Sequence, residues 1–299
     1  MRKRVISPGG LLVLAVSMIC GTCAAQVRVS TVAGDKVALD LSEFRPDRTG
    51  TSSEFFQVLK NDLVRSGWFY MAPAGSGLAV KGSCRNLGEV LSVECVVRQA
   101  GRGSLLSRTY RGGASDARRL AHRVADAIVK AVTGRNGMAS ARLVMVGTRS
   151  GRKELYVADS DGQGLMQVTR DKSISVAPKW GPNNQIVYTS YLKGYPDVYL
   201  VDIVSGGRDR ISSYAGLNTG ADISPDGRDV VLILSKDGNP ELYIKNLRTG
   251  KLTRVTNTRG AAEASPSWSP DGNRIVYVSD SSGRPNLYVV SRQGRRGKR

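Results

Sequence analysis

A turn signal that returns at near-constant spacing through the second half of the chain constrains the fold more than any other feature. Ser269-Pro270-Asp271-Gly272 is preceded 45 residues earlier by Ser224-Pro225-Asp226-Gly227, and 43 residues before that by the degenerate Gly181-Pro182-Asn183-Asn184. Pro presets φ at the second position and Asp bonds its own backbone at the third, so the tetrapeptide suits a type I turn between two strands. The flanks keep the same rhythm. Tyr156, Tyr199, Tyr243 and Tyr288 sit 43, 44 and 45 residues apart, each between two aliphatic residues; a Gly lies five residues before each, and a Val twelve before. Short strands and Gly-rich turns at a period of about 40 to 45 residues mark a β-propeller with one sheet per blade.

The 299 residues exceed what such repeats occupy. At roughly 100 to 200 residues per domain, there is room for a second unit before them. The first 25 residues read as a secretory signal: Arg2, Lys3 and Arg4 are basic, Leu11 to Cys20 is apolar, and Cys23-Ala24-Ala25 ends in small residues. That apolar run is far short of the roughly 20 residues a spanning helix needs. Cleavage after Ala25 would start the chain at Gln26, outside the cytoplasm. The formal charge of +19 then becomes +16, because the signal carries three basic residues and no acidic one. In that compartment nucleic acid is out of reach, and the charge faces anionic lipid, an acidic partner or solvent.

Residues 26–135 read as an α+β domain, 136–140 as a linker and 141–299 as propeller. Val27, Val29 and Thr31 alternate with polar residues, and a second strand follows at Val37 to Leu41. Thr51-Ser52-Ser53-Glu54 has the pattern of a capping box ahead of a helix carrying Phe55, Phe56, Leu59, Leu63 and Val64, stopped by Gly67. Strands are expected at 68–71, 78–84, 90–97 and 104–110. A second helix from Ser115 to before Gly134 buries Ala117, Leu120, Ala121, Val124, Ile128 and Ala131. Cys84 and Cys95 survive signal removal, and an oxidising compartment permits a disulfide between them. A two-residue turn at Leu87-Gly88 would leave their sulfurs out of register, however.

The sequence offers little to catalysis. Its one histidine, His122, lies about 100° off the apolar face of the second helix and is expected to be solvated. No Gly-x-Ser-x-Gly elbow, phosphate-binding loop, dinucleotide fingerprint, His-Glu-x-x-His or zinc-spaced cysteine pair occurs. Asp226 and Asp271 fit turn geometry better than calcium ligation, since no further Asp alternates with them. No cofactor or metal is expected, and a binding surface remains. Tyr191 and Tyr195 are candidate anchors near a turn, while Trp180 and Trp268 share a repeat position that suits packing between blades.

A signal, a mature start of Gln26-Val27-Arg28-Val29, an α+β domain containing Leu59-Lys60-Asn61-Asp62-Leu63-Val64-Arg65-Ser66-Gly67-Trp68-Phe69, and a blade bearing Trp268-Ser269-Pro270-Asp271-Gly272 together resemble the TolB family, periplasmic proteins of the Tol-Pal system. The resemblance runs over the whole mature chain. It implies a non-enzymatic scaffold. The first mature strand (Val27, Arg28, Val29) would be bound by a TolA-type inner-membrane protein, as β-augmentation would allow. The propeller would be bound by the peptidoglycan-associated lipoprotein Pal, in support of outer-membrane integrity and constriction at division. Family propellers close with six blades, whereas residues 141–299 hold three, four, four and three strands. Arg210 and Arg254 lie eleven residues after their repeat's Tyr, as does the final Arg299. The chain is therefore expected to be an interrupted or shortened repeat array. Two other functions fit a basic secreted propeller: binding or cleaving a glycan, and adhering to an anionic envelope surface.

Overall fold

A computed structural model describes residues 36–294; the expected signal, the Val27–Val29 segment and the basic ending lie outside them. The first unit is a six-stranded mixed sheet covered on one face by two helices. Its elements are β1 (Val37–Asp40), β2 (Phe44–Pro46), α1 (Gly50–Arg65), β3 (Phe69–Met71), β4 (Leu78–Asn86), β5 (Val90–Gln99), β6 (Gly103–Gly113) and α2 (Ala117–Thr133). The order is β3-β1-β4-β5-β6, with β2 added to β4. β1 runs parallel to β3 and β4, and β4-β5-β6 is an antiparallel meander. Alternation along β5 turns Leu91, Val93, Cys95 and Val97 inward, where Phe55, Leu59, Leu63, Leu120, Val124 and Ile128 of the helices bury them.

Two local expectations give way here, and the cysteines are resolved. The cap of α1 is Thr49, not Thr51: its hydroxyl accepts the Ser52 N–H, while Asp47 accepts the N–H of Thr49 and of Asn86. Asp47 thus brings the chain into the helix two residues earlier than the capping-box pattern implies. Val64 is exposed, and Val58 takes its place in the stripe. Cys84 and Cys95 are free, buried thiols. The turn is centred on Gly88-Glu89, one residue later than Leu87-Gly88, so the β4-β5 ladder sets Cys84 opposite Val93 and Cys95 opposite Gly82, a register two residues from the one anticipated. Gly82 is required there, because a Cβ would meet the Glu94 carbonyl oxygen at 2.0 Å.

The segment 134–141 does not hang free. Asp126 on α2 accepts the N–H groups of Ala139 and Ser140 at 2.7 and 3.0 Å, pinning it to the helix.

Four antiparallel sheets follow, with three, four, four and three strands, and they do not close. They are β7 (Arg142–Gly147), β8 (Glu154–Asp159) and β9 (Met166–Gln167); β10 (Ser175–Trp180), β11 (Gln185–Ser190), β12 (Asp197–Asp202) and β13 (Arg208–Ser212); β14 (Asn218–Ile223), β15 (Asp229–Leu234), β16 (Glu241–Asn246) and β17 (Leu252–Arg254); β18 (Glu263–Trp268), β19 (Arg274–Ser279) and β20 (Asn286–Ser291). The marker tyrosines lie on the third strand of blades two to four and on β8, the second strand of the first sheet. Tyr199 stacks on Tyr188 and Tyr288 on Tyr277 across one ladder, each pair with centroids 5.8 Å apart. Apolar faces mate blade to blade: Val231, Ile233, Leu242 and Ile244 of the third sheet bury against Trp268, Ile275, Tyr277 and Val290 of the fourth. On the far side of the fourth sheet, Val276, Val278, Leu287 and Val289 share a face through direct pairing, and Leu287 is 67% exposed.

The repeated turns are uniform. Gly227 and Gly272 donate to Ser224 and Ser269 O at 2.8 Å, and each Asp accepts the N–H two residues on. The degenerate copy differs: Gln185 N–H bonds Pro182 O, and Asn183 and Asn184 both have φ near +60°, the mirror-image turn that Asn tolerates.

Candidate functional site

Antiparallel connection sends the turn after each blade's second strand to the opposite end from the Ser-Pro-Asp-Gly turns. In the first sheet, β7 and β8 occupy the places of those second and third strands. At that end Gly151, Gly194, Gly238 and Gly283 each donate to the residue three before, Thr148, Tyr191, Ser235 and Asp280, at 2.8 to 3.0 Å, and all four have positive φ. Four equivalent turns thus present one mouth. Arg149, Arg152, Lys153, Lys193, Lys236 and Arg284 stand in them against Asp237 and Asp280, six basic groups to two acidic. Lys236 is paired with Asp237 at 2.9 Å, so the surplus lies with the other five.

Aromatic surface is concentrated in one turn. Tyr191, Leu192 and Tyr195 are exposed, Tyr195 at 77%, and a cavity of about 390 Å³ beside them is lined by Lys193, Tyr195, Asp197, Arg210 and Tyr214. Tyr supplies contact area with few rotors, so a rigid Gly-anchored turn carrying two of them suits an interface anchor. Trp180 and Trp268 do not join the mouth. Trp268 is buried, donates its indole N–H to Asp222 O at 3.1 Å and is covered by Arg292; Trp180 is covered by Arg142. Both pack between blades, as their shared repeat position implies.

The first strands of the blades hold a network that no local pattern announces. β10, β14 and β18 each carry a bulge, at Ala177, Gly220 and Ser265, with φ of 51°, 60° and 49°. Asp222 accepts from Ser267 Oγ and Trp268 N, and Lys179 Nζ lies 3.7 Å from it while donating to Pro266 O at 2.6 Å. Three blades are thereby tied through one carboxylate. The only trace in the sequence is the recurrence of Ala177-Pro178, Gly220-Ala221 and Ser265-Pro266 at the blade period.

His122 is the main correction. It is 2% exposed, and its Nδ1 lies 2.6 Å from Asp62 Oδ2. The helix is covered on two sides, by the sheet and by α1 with the first blade, so a position 100° from the sheet-facing stripe is still interior. Burial works against an imidazolium, but the hydrogen bond and charge of Asp62, aided by Asp161 and Asp159, outweigh it and raise the His122 pKa. Asp161 in the turn after β8 also pairs with Arg118 of α2, joining the helices to the first blade.

The fold and the mouth define a class: an α+β unit leading into an open propeller whose turns present basic and aromatic groups. Comparison with known proteins narrows it. The family model for the TolB beta propeller domain matches residues 129–299, and the chain belongs to that family. It is similar to the Tol-Pal system protein TolB of Desulfosudis oleivorans, 28% identical over 218 residues, 72% of this chain and 47% of that protein. It is also similar to the protein TolB homolog of Chlorobium luteolum, 31% identical over 247 residues, 73% and 55% of the two chains. The crystal structure of TolB from Acinetobacter baumannii superposes with a TM-score of 0.79 at 27% identity, covering 89% of this chain and 72% of that one. The chain spans about half the length of the curated relatives it matches.

Proposed function

We propose that the chain is a non-enzymatic scaffold of the Tol-Pal system, working in the periplasm after removal of its first 25 residues. The observation that carries this reading is the fit to TolB from Acinetobacter baumannii across 89% of the chain, through both the α+β unit and the blades. In this reading the Val27–Val29 segment, with Arg28 between, adds a strand to a TolA-type inner-membrane partner. The basic mouth with Tyr191 and Tyr195 receives the peptidoglycan-associated lipoprotein Pal, and the linkage supports outer-membrane integrity and constriction at division. Capture of Pal from envelope extract by the purified chain tests it. Pal in the eluate, lost when Tyr191 and Tyr195 are both changed to Ala, supports the assignment; an eluate without Pal rejects it.

The surplus of basic groups at the mouth favours a second reading, adhesion to an anionic envelope surface. Such adhesion would collapse between roughly 0.05 and 0.5 M salt, and Tyr191→Ala would leave it unchanged.

A further inference from the structure

The junction of α1, α2 and the first blade holds groups that the docking reading leaves unused. His122 Nδ1 is committed to Asp62. Its Nε2 is buried with no hydrogen-bond partner. A ring nitrogen of His122 and one carboxylate oxygen each from Asp159 and Asp161 lie within 4.8 Å of one another. With Nδ1 occupied, Nε2 is the nitrogen free to serve. A buried, unpartnered ring nitrogen in a cluster with two carboxylates, its other nitrogen held by a third, has the form of a carboxylate-histidine-metal arrangement.

Charge points the same way. Asp62, Asp159 and Asp161 bring three negative charges, and of the nearby arginines only Arg118 pairs with one of them, Asp161. The other arginines around the adjoining cavity are engaged elsewhere: Arg142 on the Trp180 ring, Arg123 on Arg111 O and Arg119 beside Asp116. Once the imidazole proton is displaced, the three carboxylates are in direct contact with one arginine, Arg118, while Arg142 stands opposite Asp159 in the β7-β8 ladder. That cavity, about 380 Å³ and lined by His122 and Asp159, supplies a path from solvent.

We propose that His122 Nε2, Asp159 and Asp161 form a binding site for a divalent cation of the zinc class, with Asp62 as the positioning residue behind His122. One nitrogen and two carboxylates suit Zn²⁺ at bond lengths of about 2.0 to 2.2 Å, with water completing the shell. Mg²⁺ and Ca²⁺ favour all-oxygen sets and are disfavoured here. The ion would fasten the helices to the turn after β8, so that the α+β unit and the first blade move as one.

The test uses the purified, tag-free chain, stripped with chelator and titrated with Zn²⁺ alone, bound metal being counted by mass spectrometry. The expected result is one ion per chain and a raised melting temperature, with no binding of Mg²⁺. Asp159→Asn lowers the affinity at least about tenfold, and Asp62→Asn by roughly 10- to 100-fold, the usual cost of losing an outer-shell carboxylate. Asp159 is only half-buried, so its variant remains decisive if the Asp62 variant does not fold. Absence of Zn²⁺ binding, or binding that Asp159→Asn leaves intact, overturns the proposal.

Discussion

At the scale of single residues, burial and local hydrogen bonds dominate the chemistry. Burial pushes the Cys84 thiol up to about 11 and the Cys95 thiol up to about 12. Both therefore remain protonated at neutral pH and out of reach of reagents. Neither should react with a thiol probe in the native chain, and both should react once it is unfolded; rapid labelling of folded protein would contradict the buried register. Asp271 behaves oppositely. The Ser269 hydroxyl and the Asn273 N–H hold its carboxyl down to about 2, below the ordinary 3.8. Because the folded value is depressed, its contribution is complete above about pH 4 and is lost as pH falls through 2. Denaturation of Asp271→Asn between pH 5 and 2 should show a shallower loss of stability than the parent chain.

At the scale of elements, one ion pair recurs with different burial. Arg254 bonds the wholly buried Glu241 at 3.0 Å, and the more exposed Arg210 bonds the buried Asp197 at 3.2 Å. Removing Arg254 strands a buried carboxylate that Asn239 and Thr258 compensate only in part. Arg254→Ala should therefore cost about 3 kcal/mol in chemical denaturation, and Arg210→Ala somewhat less, about 2 kcal/mol, because the more exposed Arg210 leaves Asp197 nearer to solvent. Equal costs would mean that the difference in burial does not set the strength of the pair. The helices show what a periodicity reading misses. The stripe of α2 is right from Ala117 to Ile128, yet the same helix buries His122 and Val129 on a second side, because α1 and the first blade cover it.

At the scale of the whole molecule, partner binding should depend on one turn among four equivalent ones. Replacing both Tyr191 and Tyr195 by Ala should weaken capture of an acidic protein partner at least tenfold, about 1.4 kcal/mol or more, without moving the melting temperature. The same double change placed at Ser281 and Ser282, in the corresponding turn of the fourth sheet, should leave capture intact. Among the described residues, no helix is long and apolar enough to cross a membrane.

The repeat, the strand count per blade, the placing of Gly at the mouth turns and the α+β class were legible because each follows from local rules: a turn needs positive φ, a strand alternates, and a fixed period multiplies the signal. What only the tertiary structure decided is whatever joins residues distant in sequence. His122 reads as a surface residue until α1 and the first blade close over it. Lys179, Asp222 and Ser267 are ordinary polar residues until three blades bring them together. The physical reason is that burial and ion pairing depend on what lies across an interface, and the sequence near a residue does not say what that will be.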